Sequence, residues 1–127
     1  MEKPAEWTFA VSIPAKDLDG TRKFYEDVLG LKAVREDPGG ILYEAGDSAV
    51  LLYPTEFAGT AKHTIGGFLV NDIEATIGDL RAKGVTFEDF DMPGLKTEGG
   101  VATLGEDKVA WFKDPEGNIL AINQTAG

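Results

Sequence analysis

Apolar residues recur along this chain with two periods. Leu18, Tyr25 and Leu29 share one face with Arg22, and Thr21 and Val28 fill it, which is the stripe of a helix. Asp17 stands where an N-cap side chain accepts backbone N–H bonds, and Gly30 where a left-handed residue ends the helix. A second stripe, Ile73, Ile77 and Leu80, lies between Asp72 and Gly84 in the same two roles. Each helix is predicted to run about 12 residues, near the usual helix length. The runs 31–35, 41–44, 49–53, 85–87, 108–112 and 118–123 read as strands, rich in β-branched and aromatic residues. Ala45-Gly46-Asp47-Ser48 and Asp114-Pro115-Glu116-Gly117 read as the turns between neighbours.

These elements form a repeat. Ile13-Pro14-Ala15-Lys16-Asp17-Leu18-Asp19 lies over Phe68-Leu69-Val70-Asn71-Asp72-Ile73-Glu74, each a short apolar strand ending at an Asp that opens a helix. The order is β-α-β-β-β, twice, which predicts an α+β domain spanning 1–127. Module one covers about 7–54, a polar linker 55–62, and module two about 63–124. Residues 91–107, with Pro93 and four glycines, do not fit. They read as a long loop, either a floppy insertion or a functional segment such as a lid.

Composition narrows the function. The length of 127 residues suits one domain that buries a core without staples. The absence of Cys excludes disulfides, thiolate metal sites and cysteine nucleophiles. With a start that lacks the apolar core of a signal peptide, this predicts a cytoplasmic protein. No apolar run approaches the ~18–20 residues of a membrane span. Twelve Lys and Arg against 22 Asp and Glu give a net charge of −10, and no basic cluster offsets it in the sequence. Phosphate backbones and anionic lipid are disfavoured, so neither nucleic acid nor membrane is expected as a partner. Neutral or cationic ligands are easier to accommodate, although solubility alone accounts for such acidity.

Three phrases carry a resemblance: Lys16-Asp17-Leu18-Asp19, then Phe24-Tyr25-Glu26-Asp27-Val28-Leu29-Gly30-Leu31, and later Asp114-Pro115-Glu116-Gly117-Asn118. With the repeat, the sequence resembles the vicinal oxygen chelate superfamily, also called the glyoxalase/bleomycin-resistance/dioxygenase fold, from about Thr8 to Gln124. The resemblance implies paired βαβββ modules whose mixed sheets form a cup, helices on the outer face, a ligand inside, and a homodimer. It also implies, for the enzymes of the family, a divalent metal held by His, Glu or Gln at up to four positions. Carried over one at a time, those positions are Ala10, Leu51, Ile65 and Ala121. None has a donor atom, so no metal and no cofactor is expected. The sole histidine, His63, lies two residues before Ile65 and has no His-x-x-x-His or His-x-x-Glu partner.

If those four positions face inward, alternation brings Thr8, Ser12, Ala49, Tyr53, His63, Gly67, Ile119 and Asn123 to the same face, with Trp111 and Val109 beside them. Phe9, Val11, Ile13, Val50, Leu52, Phe68, Val70, Phe112, Leu120 and Ile122 then pack beneath the helices. The expected ligand-binding set is Thr8, Ala10, Ser12, Leu51, Tyr53, His63, Ile65, Val109, Trp111, Ala121 and Asn123. An apolar lining with aromatic walls suits a small organic molecule, although Trp111 and Tyr53 could equally serve as filling. No catalytic residue is assigned. The expected function is metal-free binding of an aromatic or cationic compound. The alternatives are a lyase, isomerase or dioxygenase with unrecognised ligands or His63 as base, and an accessory dimerisation module without a ligand.

Overall fold

The computed structural model describes residues 7–125; the first six residues, on which the reading of the chain start rests, lie outside them. The chain divides into two compact units, Met1–Thr60 and Ala61–Gly127, and the division falls inside the expected linker. Each unit holds one mixed sheet and one principal helix, a mixed α+β architecture.

In the first unit, β1 (Ala10–Ala15) runs into α1 (Leu18–Lys23), which continues as one π-helical turn, Phe24–Val28. The strands β2 (Lys32–Asp37), β3 (Gly40–Ala45) and β4 (Ser48–Pro54) follow, in the order β1-β4-β3-β2. β1 is parallel to β4 and the other pairs are antiparallel. Asp17 caps α1, its carboxylate accepting from Gly20 N. The register sets Ile13 beside Leu52 and Leu52 beside Ile41, so the fully buried side chains share one face with Tyr43 and Val50. Burial of each large one contributes about 1.5–3 kcal/mol. The ring of Tyr25, from the π turn, stacks on Tyr43 with centroids 6.4 Å apart. Val11 is only half-buried, and Phe9 is 75% exposed, because the strand begins at Ala10. The expectation that Phe9 packs beneath a helix is corrected.

A charged network crosses the edge of this face. Tyr43 donates its hydroxyl to Glu26 Oε2 at 2.7 Å. Arg22 Nε donates to the same oxygen at 2.8 Å and Nη1 to Glu36 Oε1 at 3.0 Å. The Tyr43 hydroxyl, with Arg22, holds the Glu26 carboxyl below its ordinary value against the opposing effect of partial burial. Burial first, then Glu26, pushes the Tyr43 phenol up.

In the second unit, β5 (Thr64–Leu69) leads to α2 (Ile73–Ala82), capped by Asp72, which accepts from Ala75 N. The sheet order is β5-β10-β9-β8-β7-β6, with β5 parallel to β10 (Ile119–Gln124). The inner part repeats the first unit: a parallel outer pair, then antiparallel neighbours. Ile73, Ile77 and Leu80 of α2 are buried, and so are Ala110, Phe112, Leu120 and Ile122 on one face of the sheet. Gln124 Oε1 accepts from Ile73 N at 2.8 Å, tying the start of α2 to the end of β10.

Two predicted features change. The run 85–87 is no strand; only Phe87 bridges to Phe112, and Glu88 N donates to Trp111 O at 2.8 Å. The place of a strand beside β9 (Asp107–Lys113) is taken largely by β8 (Val101–Leu104). The segment 91–107 is therefore not a long loop or a free lid. It is a ladder of β6 (Asp91–Met92), β7 (Leu95–Glu98) and β8. Its glycines make the turns. Gly99 and Gly100, both at positive φ, form a two-residue turn of the kind that matches strand twist. Buried Thr97 locks the ladder: Oγ1 accepts from Phe90 N and donates to Asp89 Oδ1, which also accepts from Gly100 N.

The turn between β9 and β10 is stapled by one side chain. Asp114 Oδ1 accepts from Glu116 N at 2.9 Å and from Asn118 N at 3.0 Å, and Oδ2 accepts from Asn118 Nδ2 at 2.9 Å. Both residues are buried. Asp114→Ala leaves buried donors unmatched and is expected to cost about 2–3 kcal/mol, read from urea unfolding. Tyr43→Phe is expected to cost about 1–2 kcal/mol at pH 7 by removing a bond to a carboxylate. Because the folded Glu26 value is depressed, that stabilisation is present above the unfolded value of about 4.3 and is lost as pH falls through the folded one. The gap between wild type and Tyr43→Phe should therefore narrow below about pH 4 in thermal melts at stepped pH.

Candidate ligand-binding face

On the second sheet, the face turned away from α2 carries a small cluster. Ala102, Val109 and Ala121 are buried together, with Leu95 and Trp111 packed against them. The register accounts for the grouping. Ala121 pairs with Trp111, Asn123 with Val109, and Val109 with Ala102. Phe112, one residue on, takes the opposite face and meets Phe87 edge to face at 5.7 Å. The expected placement of Val109, Trp111, Ala121 and Asn123 on one face, and of Phe112 on the other, is what the strand pairing produces.

Trp111 is half-buried and held on two sides. Its Nε1 donates to Thr64 Oγ1 at 3.1 Å, and Phe90 meets it edge to face with centroids 5.3 Å apart and planes at 87°. The floor beneath is made of small residues. Gly67 pairs with Ala121, and a Cβ there would lie 2.9 Å from Ala121 O, so the close approach of β5 to β10 requires glycine. The result is an aromatic corner with a low floor, one indole N–H already committed, and Asn123 amide groups on the neighbouring strand. The chemistry such a corner offers is stacking for a flat ring and quadrupole attraction for an organic cation.

The β5 residues sit differently from simple alternation. The partners of β10 step from Thr64 at Ile119 to Gly66 at Leu120, so Ile65 has no partner of its own. This bulge shifts the phase of the strand, and Thr64 reaches Trp111 where alternation had assigned His63. His63 lies ahead of β5, is exposed, and its Nδ1 contacts Thr64 O at 3.0 Å. Thr64, Phe90, Leu95 and Ala102 were not among the expected lining residues. A Gly-Gly pair inside a strand, Gly66-Gly67, was the available sign of a bulge. Phe90 had none, because the ladder beside it was read as loop.

In the first unit, Ala10 and Ser12 on β1 and Leu51 and Tyr53 on β4 lie on the face opposite Ile13 and Leu52. Ser12 pairs with Leu51, and Leu51 with Leu42. Ala10 and Ser12 are exposed and Leu51 and Tyr53 half-buried. Thr8 precedes β1 and is exposed.

A metal of the kind the resemblance implies does not fit these residues. The methyl-bearing side chains of Ala10, Leu51, Ile65 and Ala121 offer no lone pair, and Ala121 is flanked on its neighbouring strands by Gly67 and Trp111. Among the described residues, no three His, Cys, Asp or Glu side chains converge as a metal-holding group. No helix of the described residues is long and apolar enough to cross a membrane.

Comparison with known proteins agrees with the fold. A lactoylglutathione lyase of Haemophilus influenzae is 33% identical over 80% of this chain and 79% of its own length. A glyoxalase family protein from Bacillus anthracis superposes with a TM-score of 0.76 at 16% identity, covering 99% of this chain and 100% of that one. TnmS3, an antibiotic binding protein from Streptomyces sp. CB03234, superposes with a TM-score of 0.68 at 18% identity, covering 98% and 100%. The family description "Glyoxalase/Bleomycin resistance protein/Dioxygenase superfamily" matches residues 8–122. With the repeated parallel-edged sheets and two Asp-capped helices, these matches place the chain as a member of the glyoxalase/bleomycin resistance protein/dioxygenase superfamily.

Proposed function

We propose that this chain binds a small organic molecule, aromatic or cationic, without a metal, on the Trp111 face of its second sheet. The observation that carries the reading is the Trp111–Phe90 corner, tethered by Thr64 and set over Gly67 and Ala121. A pinned indole loses little freedom on binding, so its stacking energy goes into affinity. The net charge of −10 favours a cation during encounter. An antibiotic binding protein with this fold supports a sequestering role, in which retention rather than reaction is the activity. The molecule is proposed to act as a homodimer in the cytoplasm, with no nucleic-acid or membrane partner.

A second reading rests on the 33% identity to a lactoylglutathione lyase. A lyase of this family would need donor atoms beyond the four carried-over positions, or His63 as a base; the exposed His63 ring has its Nδ1 3.0 Å from Thr64 O.

The test is a titration with N-methylquinolinium, a flat aromatic cation, followed by tryptophan fluorescence and by calorimetry. Wild type should bind saturably, with neutral quinoline weaker. Trp111→Ala should weaken binding at least about tenfold, equivalent to ~1.4 kcal/mol. His63→Ala should leave it unchanged. Equal affinity in Trp111→Ala would remove the assigned face.

A further inference from the structure

The other face of the second sheet carries a groove that the Trp111 face does not explain. Six strands at ~4.8 Å spacing are wider than one helix, whose diameter is ~10 Å, so a single helix cannot cover the sheet. Here α2 ties to β10, and the outer strands β7 and β8 lie beyond it. The step between them is a cavity of about 580 Å³, within the range of small-molecule sites. Its floor includes Ile77 and Val101, and Gly78 adds no side chain to the helix wall.

The charges around it are unlike those of the whole chain. Three of the chain's 12 Lys and Arg line it, Arg81, Lys96 and Lys108. Lys108 Nζ is paired with Glu74 Oε1 at 3.1 Å, so that pair is internally neutral. Arg81 is fixed in place: Nη2 donates to Gly99 O at 2.8 Å, and the guanidinium lies over the Phe87 ring at 5.6 Å. That leaves further guanidinium N–H groups with no protein partner among the described residues. The Lys96 side chain makes no ion pair or hydrogen bond among them, and it shares a face of β7 with Glu98, two residues on. In a protein of net charge −10, an arginine held rigid and an unpaired lysine at the rim of an apolar-floored groove form a local anion site.

We propose that this groove is a second ligand site, for an organic monoanion with an apolar body. The carboxylate is taken by Arg81 and Lys96, and the body lies over Ile77 and Val101. Glu98 repels a second negative charge, which disfavours polyanions such as di- and triphosphates. The site is independent of the Trp111 face and of any metal.

Benzoate is the probe, titrated into the full chain and followed through the backbone amide signals of Gly78, Lys96 and Gly99. Benzyl alcohol, the same ring without the charge, is the control. Saturable shifts at these three residues are expected with benzoate only, and they should persist in Trp111→Ala. Lys96→Glu, at an exposed strand position that leaves the core intact, should weaken benzoate at least about tenfold. Arg81→Gln should do the same; because Arg81 also supports Gly99 and Phe87, Lys96→Glu is the deciding variant. Absence of saturable shifts, equal binding of benzyl alcohol, or unchanged affinity in Lys96→Glu would each overturn the proposal.

Discussion

The pairing of β9 with β10 is the constraint on which the Trp111 face depends. Side chains on a strand alternate, so a slip of one residue would send Trp111 beneath α2 and bring Phe112 to the other face. Asp114 prevents that slip. Its two oxygens take three hydrogen bonds within five residues, and Asp114 N donates to Asn118 O across the same turn. The Asp114-Pro115-Glu116-Gly117-Asn118 phrase is thus a register lock. It builds the strand pair.

Much of the fold was legible because its signals are local. Asp17 and Asp72 cap helices as their spacing implies, each accepting from the N–H three residues on. The resemblance set which positions turn inward, and strand alternation from those positions placed Trp111, Val109 and Ala121 together. The failures have physical causes. Pro93 and the glycines of 91–107 suggested loose chain, yet Gly99 and Gly100 occupy left-handed positions of a tight hairpin and Thr97 binds its strands together. The flanking strands are only four residues long, too short for alternation to stand out. The bulge at Ile65 exchanged His63 for Thr64 beside Trp111, since one unpartnered residue inverts the parity of everything before it.

The two units use one plan toward different ends. Both have a parallel outer pair and an Asp-capped helix over the sheet. In the first, the helix side closes with the Arg22–Glu26–Tyr43 network. In the second, the sheet extends by two further strands beyond β8, and α2 is too narrow to cover them. An aromatic corner on one face and a basic-rimmed groove on the other follow from that extension. The positions that the resemblance carries over as metal ligands, Ala10 and Leu51 in the first unit and Ile65 and Ala121 in the second, have side chains without donor atoms.

Metal retention tests this account most directly. The purified protein is loaded with Fe(II), Mn(II), Ni(II) or Zn(II) in turn, dialysed, and its bound metal counted per chain. A face built from an indole, a phenyl ring and methyl groups should retain none in stoichiometric amount. Retention near one ion per chain, for any of the four, would contradict it and would require a donor set outside that face.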